Sequence, residues 1–200
     1  MSIRAIYFDL GGVIVRTEDK GPRTALGESL GLDYNGIAQA VFSGESAEQA
    51  SIGLISDDQH WRNVLRALNL PESEIPHFSE AFFAGDRIDP VLMSFLRSQR
   101  PMLKVGLISN AWLGLRGWIT DHKLDDAFDN LMISSEVGIT KPDARIYLQA
   151  LDKLNVRPEE AVMVDDMPSN IEAAKALGMY GIVFQNAEQA MADVKSLLTA

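Results

Sequence analysis

Cysteine is absent from the 200 residues, which excludes disulfides, thiol nucleophiles and cysteine-based zinc sites. Long apolar runs are absent too. Nothing approaches the ~18 consecutive apolar residues of a membrane span, and the opening "MSIRAIYFDLGG" turns acidic too early for a secretory signal. Positive charge is scarce: 18 Lys and Arg stand against 28 Asp and Glu, a formal net charge of −10. A surface of that sign argues against nucleic-acid or anionic-membrane binding, and a phosphorylated ligand would need a local cation. The signatures G-x-S-x-G, the P-loop and G-x-G-x-x-G do not occur, so serine-hydrolase, NTPase and dinucleotide chemistries lack their local marks. The three histidines, His60, His77 and His122, stand far apart. The composition leads us to expect a cytoplasmic protein with no membrane or nucleic-acid partner.

At 46% hydrophobic, the chain can bury a sizeable core. Five short apolar runs predict strands: Ile3–Phe8, Lys104–Ile108, Leu131–Ile133, Ala161–Val164 and Gly181–Phe184. They are hydrophobic nearly throughout, the pattern of strands covered on both faces. Helical periods lie between them. "DPVLMSFLRSQ" offers Asp89 as N-cap and Pro90 as first helical residue. "KPDARIYLQALDKL" carries an apolar stripe from Tyr147 to Leu154. "SNIEAAKALG" opens on Ser169 or Asn170 as cap and closes on Gly178, and "NAEQAMADVKSLL" pairs Asn186 with Gln189 as in a capping box. Alternating strands and helices predict an α/β fold with a doubly wound parallel sheet. Between Arg16 and Arg87 only helical pattern appears, clearest in "SDDQHWRNVLRALNL" with Trp61, Val64, Leu65 and Leu68 on one face. We therefore expect a core of residues 1–16 and 88–200 and an inserted helical cap of residues 17–87.

The polar residues concentrate where the predicted strands end. The first ends in Asp9, the second in Ser109-Asn110, the third in Ser134-Ser135-Glu136 and the fourth in Asp165-Asp166. Taken singly, each is an ordinary turn residue or helix cap. Together they occupy the rim where open parallel sheets bind ligands. Adjacent carboxylates repel unless a cation or hydrogen-bond donors compensate. With Asp9 alongside, they offer the oxygen donors that Mg²⁺ takes, completed by waters and a substrate phosphate. Lys141, in "GITKPD", could balance a phosphate dianion as a point charge. The Ser109 hydroxyl and the backbone N–H groups beside it would form an anion site if a helix began there.

In order and spacing, "FDLGGVI", "LISNA", "SSEVGITKPDARIY" and "VMVDDMPSNIEAAKALGM" together resemble the four motifs of the haloacid dehalogenase-like hydrolase superfamily. The likeness covers nearly the whole chain and is closest to the helical-cap branch, including the phosphatase group to which the N-terminal domain of soluble epoxide hydrolases belongs. The resemblance implies that Asp9 is a nucleophile forming an aspartyl-phosphate, a role suited to a carboxylate that is ionised without a base. It also implies Mg²⁺ on Asp9, the Gly11 carbonyl and Asp166. Ser109, Asn110 and Lys141 would bind the phosphoryl group, and Asp165 would hold Lys141 or a metal-bound water. The substrate would be a small phosphorylated metabolite. One position departs from the family pattern, because Gly11 stands where a second aspartate usually serves as general acid and base. Glu18 or Asp19 are the nearest replacements in sequence. A metal-independent 2-haloacid dehalogenase, or a weakly catalytic phosphate-binding regulator, are the alternative readings that Gly11 leaves open.

Overall fold

The computed structural model describes residues 2–100 and 102–199. In chain order the elements are β1 (Ala5–Phe8), β2 (Val15–Thr17), α1 (Gly21–Ser29), α2 (Tyr34–Phe42), α3 (Glu45–Ser51), α4 (Asp57–Ala67), α5 (Ile75–Phe83) and β3 (Asp86–Ile88). They continue with α6 (Pro90–Gln99), β4 (Lys104–Ser109), α7 (Leu115–Asp121), β5 (Asn130–Ile133), α8 (Ser134–Val137), α9 (Ala144–Leu154), β6 (Ala161–Asp165), α10 (Pro168–Ala176), β7 (Tyr180–Val183) and α11 (Ala187–Thr199).

Five strands form a parallel sheet in the order β5-β4-β1-β6-β7, with β1 at its centre. All four residues of β1 are buried, and their side chains alternate between two cores. Ile6 and Phe8 join the side covered by α6 and α11. Ala5 and Tyr7 join the side covered by α9 and α10. Burial on both faces explains why the strands read as unbroken apolar runs. The expected α/β class and doubly wound parallel sheet are what the chain adopts.

Local chemistry fixes most helix starts. The Asp89 carboxylate accepts hydrogen bonds from the N–H groups of Val91 (2.8 Å) and Leu92 (2.9 Å), which satisfies two of the donors a helix leaves open. Asn186 accepts from Gln189 N at 2.9 Å, and the Gln189 amide turns back to Gln185 N at 3.0 Å. One assignment differs: α10 begins at Pro168, so neither Ser169 nor Asn170 caps it.

The interval between Arg16 and Arg87 is not purely helical. Strands β2 and β3 pair antiparallel, Val15 opposite Ile88 and Thr17 opposite Asp86, and tie its two ends together. Three-residue strands carry too little sequence pattern to stand out. Within the interval, helices α1, α2, α4 and α5 gather around a separate apolar cluster that includes Ile37, Trp61, Leu65, Phe78 and Phe82. Among the described residues, no helix is long and apolar enough to cross a membrane.

Candidate active site

Three adjacent strands deliver the polar residues to one edge. The carboxyl end of β1 leads into Asp9, that of β4 ends in Ser109, and that of β6 ends in Asp165. The fourth member arrives from outside the strands. Asn110 grips the Lys141 backbone twice, donating from its side chain to the Lys141 carbonyl (2.9 Å) and accepting from the Lys141 N–H (2.7 Å). The Lys141 ammonium then lies 2.9 Å from Asp9 Oδ2 and 2.6 Å from Asp165 Oδ2. All of Asp9, Ser109, Lys141 and Asp165 are buried.

Asp165 is fully engaged within the protein. Besides Lys141, it accepts from Met167 N at 2.8 Å and from the Asn170 amide at 2.9 and 3.1 Å. The start of α10 is thus folded around this carboxylate, with Asn170 reaching inward where it had been read as a cap. A buried charge is tolerated when it is paired and its remaining lone pairs are filled, and Asp165 meets both conditions. Tyr147 fixes the same turn by donating its hydroxyl to the Asn170 carbonyl at 2.9 Å.

Carboxylate oxygens of Asp9, Asp165 and Asp166 lie within 4.8 Å of one another, facing a single ammonium. The electrostatic consequence is visible in their acidities. Desolvation and the neighbouring Asp165 charge push Asp9 up to about 6 despite the opposing pull of Lys141. Desolvation first, then repulsion by Asp165, also raises Asp166. Because Asp165 already has its donors, Asp9 and Asp166 are the carboxylates with oxygens to spare. Two carboxylates beside a backbone turn form a hard, oxygen-only donor set that suits Mg²⁺ and leaves positions for water or phosphate.

The turn after Asp9 brings the first and last motifs together. The Leu10 carbonyl accepts from Val13, Ile14 and Val15 N–H groups, curling the chain tightly. Gly12 has φ +75°, and a Cβ there would stand 2.4 Å from Asp166 Oδ2. Only glycine lets the Asp166 carboxylate nest against this turn. Gly11 differs: a Cβ built on it meets nothing within 4 Å. Glu18 and Asp19 are exposed and occupied elsewhere, Glu18 by Arg16 (3.0 Å) and Asp19 by Gly21 N (2.8 Å). Neither is brought to Asp9 by any contact in the structure.

The "LISNA" segment also departs from expectation. Helix α7 starts at Leu115, not directly after Ser109, so residues 110–114 form a loop and no helix begins immediately after the serine. That loop reaches away from the sheet into the helical insertion. Trp112 packs 4.4 Å from the His60 ring and 5.4 Å from Trp61, and Asp57 Oδ2 accepts from Gly114 N at 3.0 Å. Ser134 Oγ donates to the Ser51 carbonyl at 2.6 Å. His60 is itself buried, its Nε2 against the Val41 carbonyl (3.0 Å) and its Nδ1 against Ser46 Oγ (2.9 Å), while His77 and His122 are exposed. Trp118 packs against the main core. Asn170 and the bridging part of Trp112 escaped the sequence reading. An amide five residues beyond Asp165, across a proline helix start, was the available signal for Asn170.

Comparison with known proteins places this arrangement among relatives. The haloacid dehalogenase-like hydrolase family model matches residues 3–178. The chain is 42% identical to a glyceraldehyde 3-phosphate phosphatase of Pyrococcus furiosus, over 96% of this chain and 85% of that one. It is 29% identical to mouse bifunctional epoxide hydrolase 2 over 98% of its own length, and spans only 39% of that longer protein. Its backbone superposes with a TM-score of 0.75 on a family enzyme of Bacteroides thetaiotaomicron solved with magnesium and inorganic phosphate, at 20% identity and covering 92% of this chain and 95% of that one.

Proposed function

The chain belongs to the haloacid dehalogenase-like hydrolases, and from that premise we propose that it is a Mg²⁺-dependent phosphatase of a small phosphorylated metabolite. The observation that carries this reading is the buried Lys141 ammonium bridging Asp9 and Asp165 beside a third carboxylate. The named phosphatase among its relatives supports the same class of substrate.

In this reading Asp9 is the nucleophile. Its Oδ1 is fixed by the Leu10 N–H at 2.7 Å, which leaves Oδ2, on the Lys141 side, directed at the incoming phosphorus. Lys141 neutralises the phosphoryl oxygens and holds the nucleophile, and Ser109 donates its hydroxyl to the same group. Asp165 keeps Lys141 in place. Asn110 acts through the Lys141 backbone it clamps. The Asp9 and Asp166 side chains and the Gly11 carbonyl would hold Mg²⁺, whose charge stabilises the phosphoryl oxygens when it is bound. Attack by Asp9 expels the alcohol oxygen with its electron pair and leaves an aspartyl-phosphate. Water then attacks that phosphorus, releasing phosphate and regenerating Asp9. Catalysis of this kind rests on positioning and charge neutralisation.

Residues 17–87 act as the cap that closes over this site and excludes water. The three-carboxylate cluster favours phosphoryl transfer over metal-independent dehalogenation, in which Asp165 would keep Lys141 but Asp166 would have no cation to hold. A Mg²⁺-supplemented assay over sugar, nucleotide, acyl and aryl phosphates tests the proposal. Turnover should exceed that of Asp9→Asn and disappear on chelation. Equal rates for the two proteins on every ester would reject it.

A further inference from the structure

Two features remain without a role in the reaction: the open space over Gly11 and the aromatic rings packed around Trp112, three residues beyond Ser109. We propose that together they select an aromatic leaving group, making the substrates phosphate monoesters of phenols. This rests on the reading of Asp9 as the nucleophile of a phosphatase.

The rings form a chain anchored at both ends to segments that leave the site. At one end is Trp112, three residues beyond Ser109 on the loop out of β4. At the other is Phe83, three residues before Asp86, which pairs with Thr17 on the strand that follows the Asp9 turn. Phe42 lies between them, 6.0 Å from Trp112 and 6.3 Å from Phe83 by ring centroid. Trp61 backs the row at 5.4 Å from Trp112 and 6.1 Å from Phe83. A purely structural cluster would bury its members, and Trp61 and Phe82 are buried. Phe42 and Phe83 are 51% and 37% exposed, so apolar ring surface next to Trp112 is left open for a ligand to cover. Such a surface favours another aromatic ring by offset or edge-on contact.

Gly11 points to the same class by different chemistry. An alkoxide leaves poorly unless it is protonated, and the position that would protonate it is a glycine, while the neighbouring Asp165 is engaged by Lys141 and Asp166 is assigned to the metal. A phenolate, the conjugate base of an acid with pKa of about 10, departs unprotonated. Asp9 forms its bond to phosphorus as the P–O(aryl) bond breaks, and the phenolate carries off the electron pair. In the second step the proton of the attacking water passes to solvent. The vacant volume over Gly11 also leaves room for a ring that an aspartate would crowd.

The test compares phenyl phosphate, acetyl phosphate and methyl phosphate on the full chain with Mg²⁺. Acetyl phosphate has a good leaving group without a ring, which separates acidity from recognition. The KM for phenyl phosphate should lie about tenfold below that for acetyl phosphate. Phe42→Ala, at an exposed position, and Trp112→Ala should each raise the phenyl KM several-fold more than the acetyl KM. Equal KM values, with the variants shifting both equally, would overturn the proposal while leaving the phosphatase reading intact. Absence of turnover of any ester would reject the phosphatase reading. The aromatic site would then be decided by calorimetric binding to Asp9→Asn, where phenyl phosphate binding tighter than methyl phosphate supports it and equal affinity refutes it.

Discussion

Gly11 and Gly12 are neighbours with opposite tolerances. A side chain at Gly11 enters open space, whereas one at Gly12 strikes Asp166 and forces a left-handed backbone on a residue with a Cβ. Gly11→Asp should therefore fold, and should accelerate hydrolysis of alkyl phosphates by up to about 10²-fold, the lower end of what a general acid contributes. Aryl phosphates should gain little, so a plot of log rate against leaving-group pKa should flatten. Gly12→Ala should instead weaken Mg²⁺ affinity about 10- to 100-fold by displacing a carboxylate, read as a higher metal concentration for half-maximal rate. Asp9 supplies a pH prediction. Its acidity is weakened on folding from the ordinary carboxylate value to about 6, so the folded state binds this proton more tightly than the unfolded one. Stability from this group is full below about pH 4 and is lost as pH rises through 6. In metal-free buffer, Asp9→Asn should raise Tm at pH 7.5, and the gain should shrink toward zero as pH falls to 4. Added Mg²⁺ should raise the wild-type Tm more at pH 7.5 than at pH 5.

At the scale of elements, the junction of β6 with α10 shows what a sequence displays and what it conceals. The Asp165-Asp166 pair was legible because two adjacent acids at the end of an apolar run have no cheap structural explanation. Asn170 was not legible, because an asparagine near a helix start matches a cap and only the fold reveals that its amide points back to Asp165. Asn170→Ala should leave Asp165 with fewer donors and loosen Lys141. We expect kcat to fall about tenfold or more with little change in KM, measured on the best ester of the panel. The strands of the sheet and the helices α6, α9 and α11 were readable from burial on both faces and from caps. The two short strands β2 and β3 were hidden because three residues cannot establish a period. Helix α3 was hidden because its small and polar residues draw no apolar stripe. The loop at 110–114 was mistaken for a helix start because polar residues after a strand commonly open one; here Asn110 is spent on the Lys141 backbone.

For the whole molecule, the question is how the helical insertion sits on the sheet. The seam is made of Asp57 with Gly114, Ser51 with Ser134, and Trp112 among the insertion's own rings. Gly53 makes the closest approach. It has φ +71°, and a Cβ there would stand 2.1 Å from the Ser135 carbonyl oxygen. Gly53→Ala should part the seam locally and destabilise the protein by at least about 1 kcal/mol, measurable as a lower midpoint in urea unfolding. The seam lay beyond the sequence reading because each of its contacts joins residues far apart in the chain, with no local pattern to mark the pairing.

The central place of β1 has a temporal meaning as well. Its neighbours in the sheet are β4, which begins at Lys104, and β6, which begins at Ala161, so the first strand to be synthesised waits longest for its partners. Pairings this distant along the chain are slow to form. The helices of the insertion, whose contacts are nearer in sequence, can gather in the meantime. Asp9 gains its Lys141 partner only when residues 141–165 join the sheet. The strand that leads into Asp9 is made well before its partners, and the cluster of Asp9, Lys141 and Asp165 is assembled only when residues 141–165 fold back onto it.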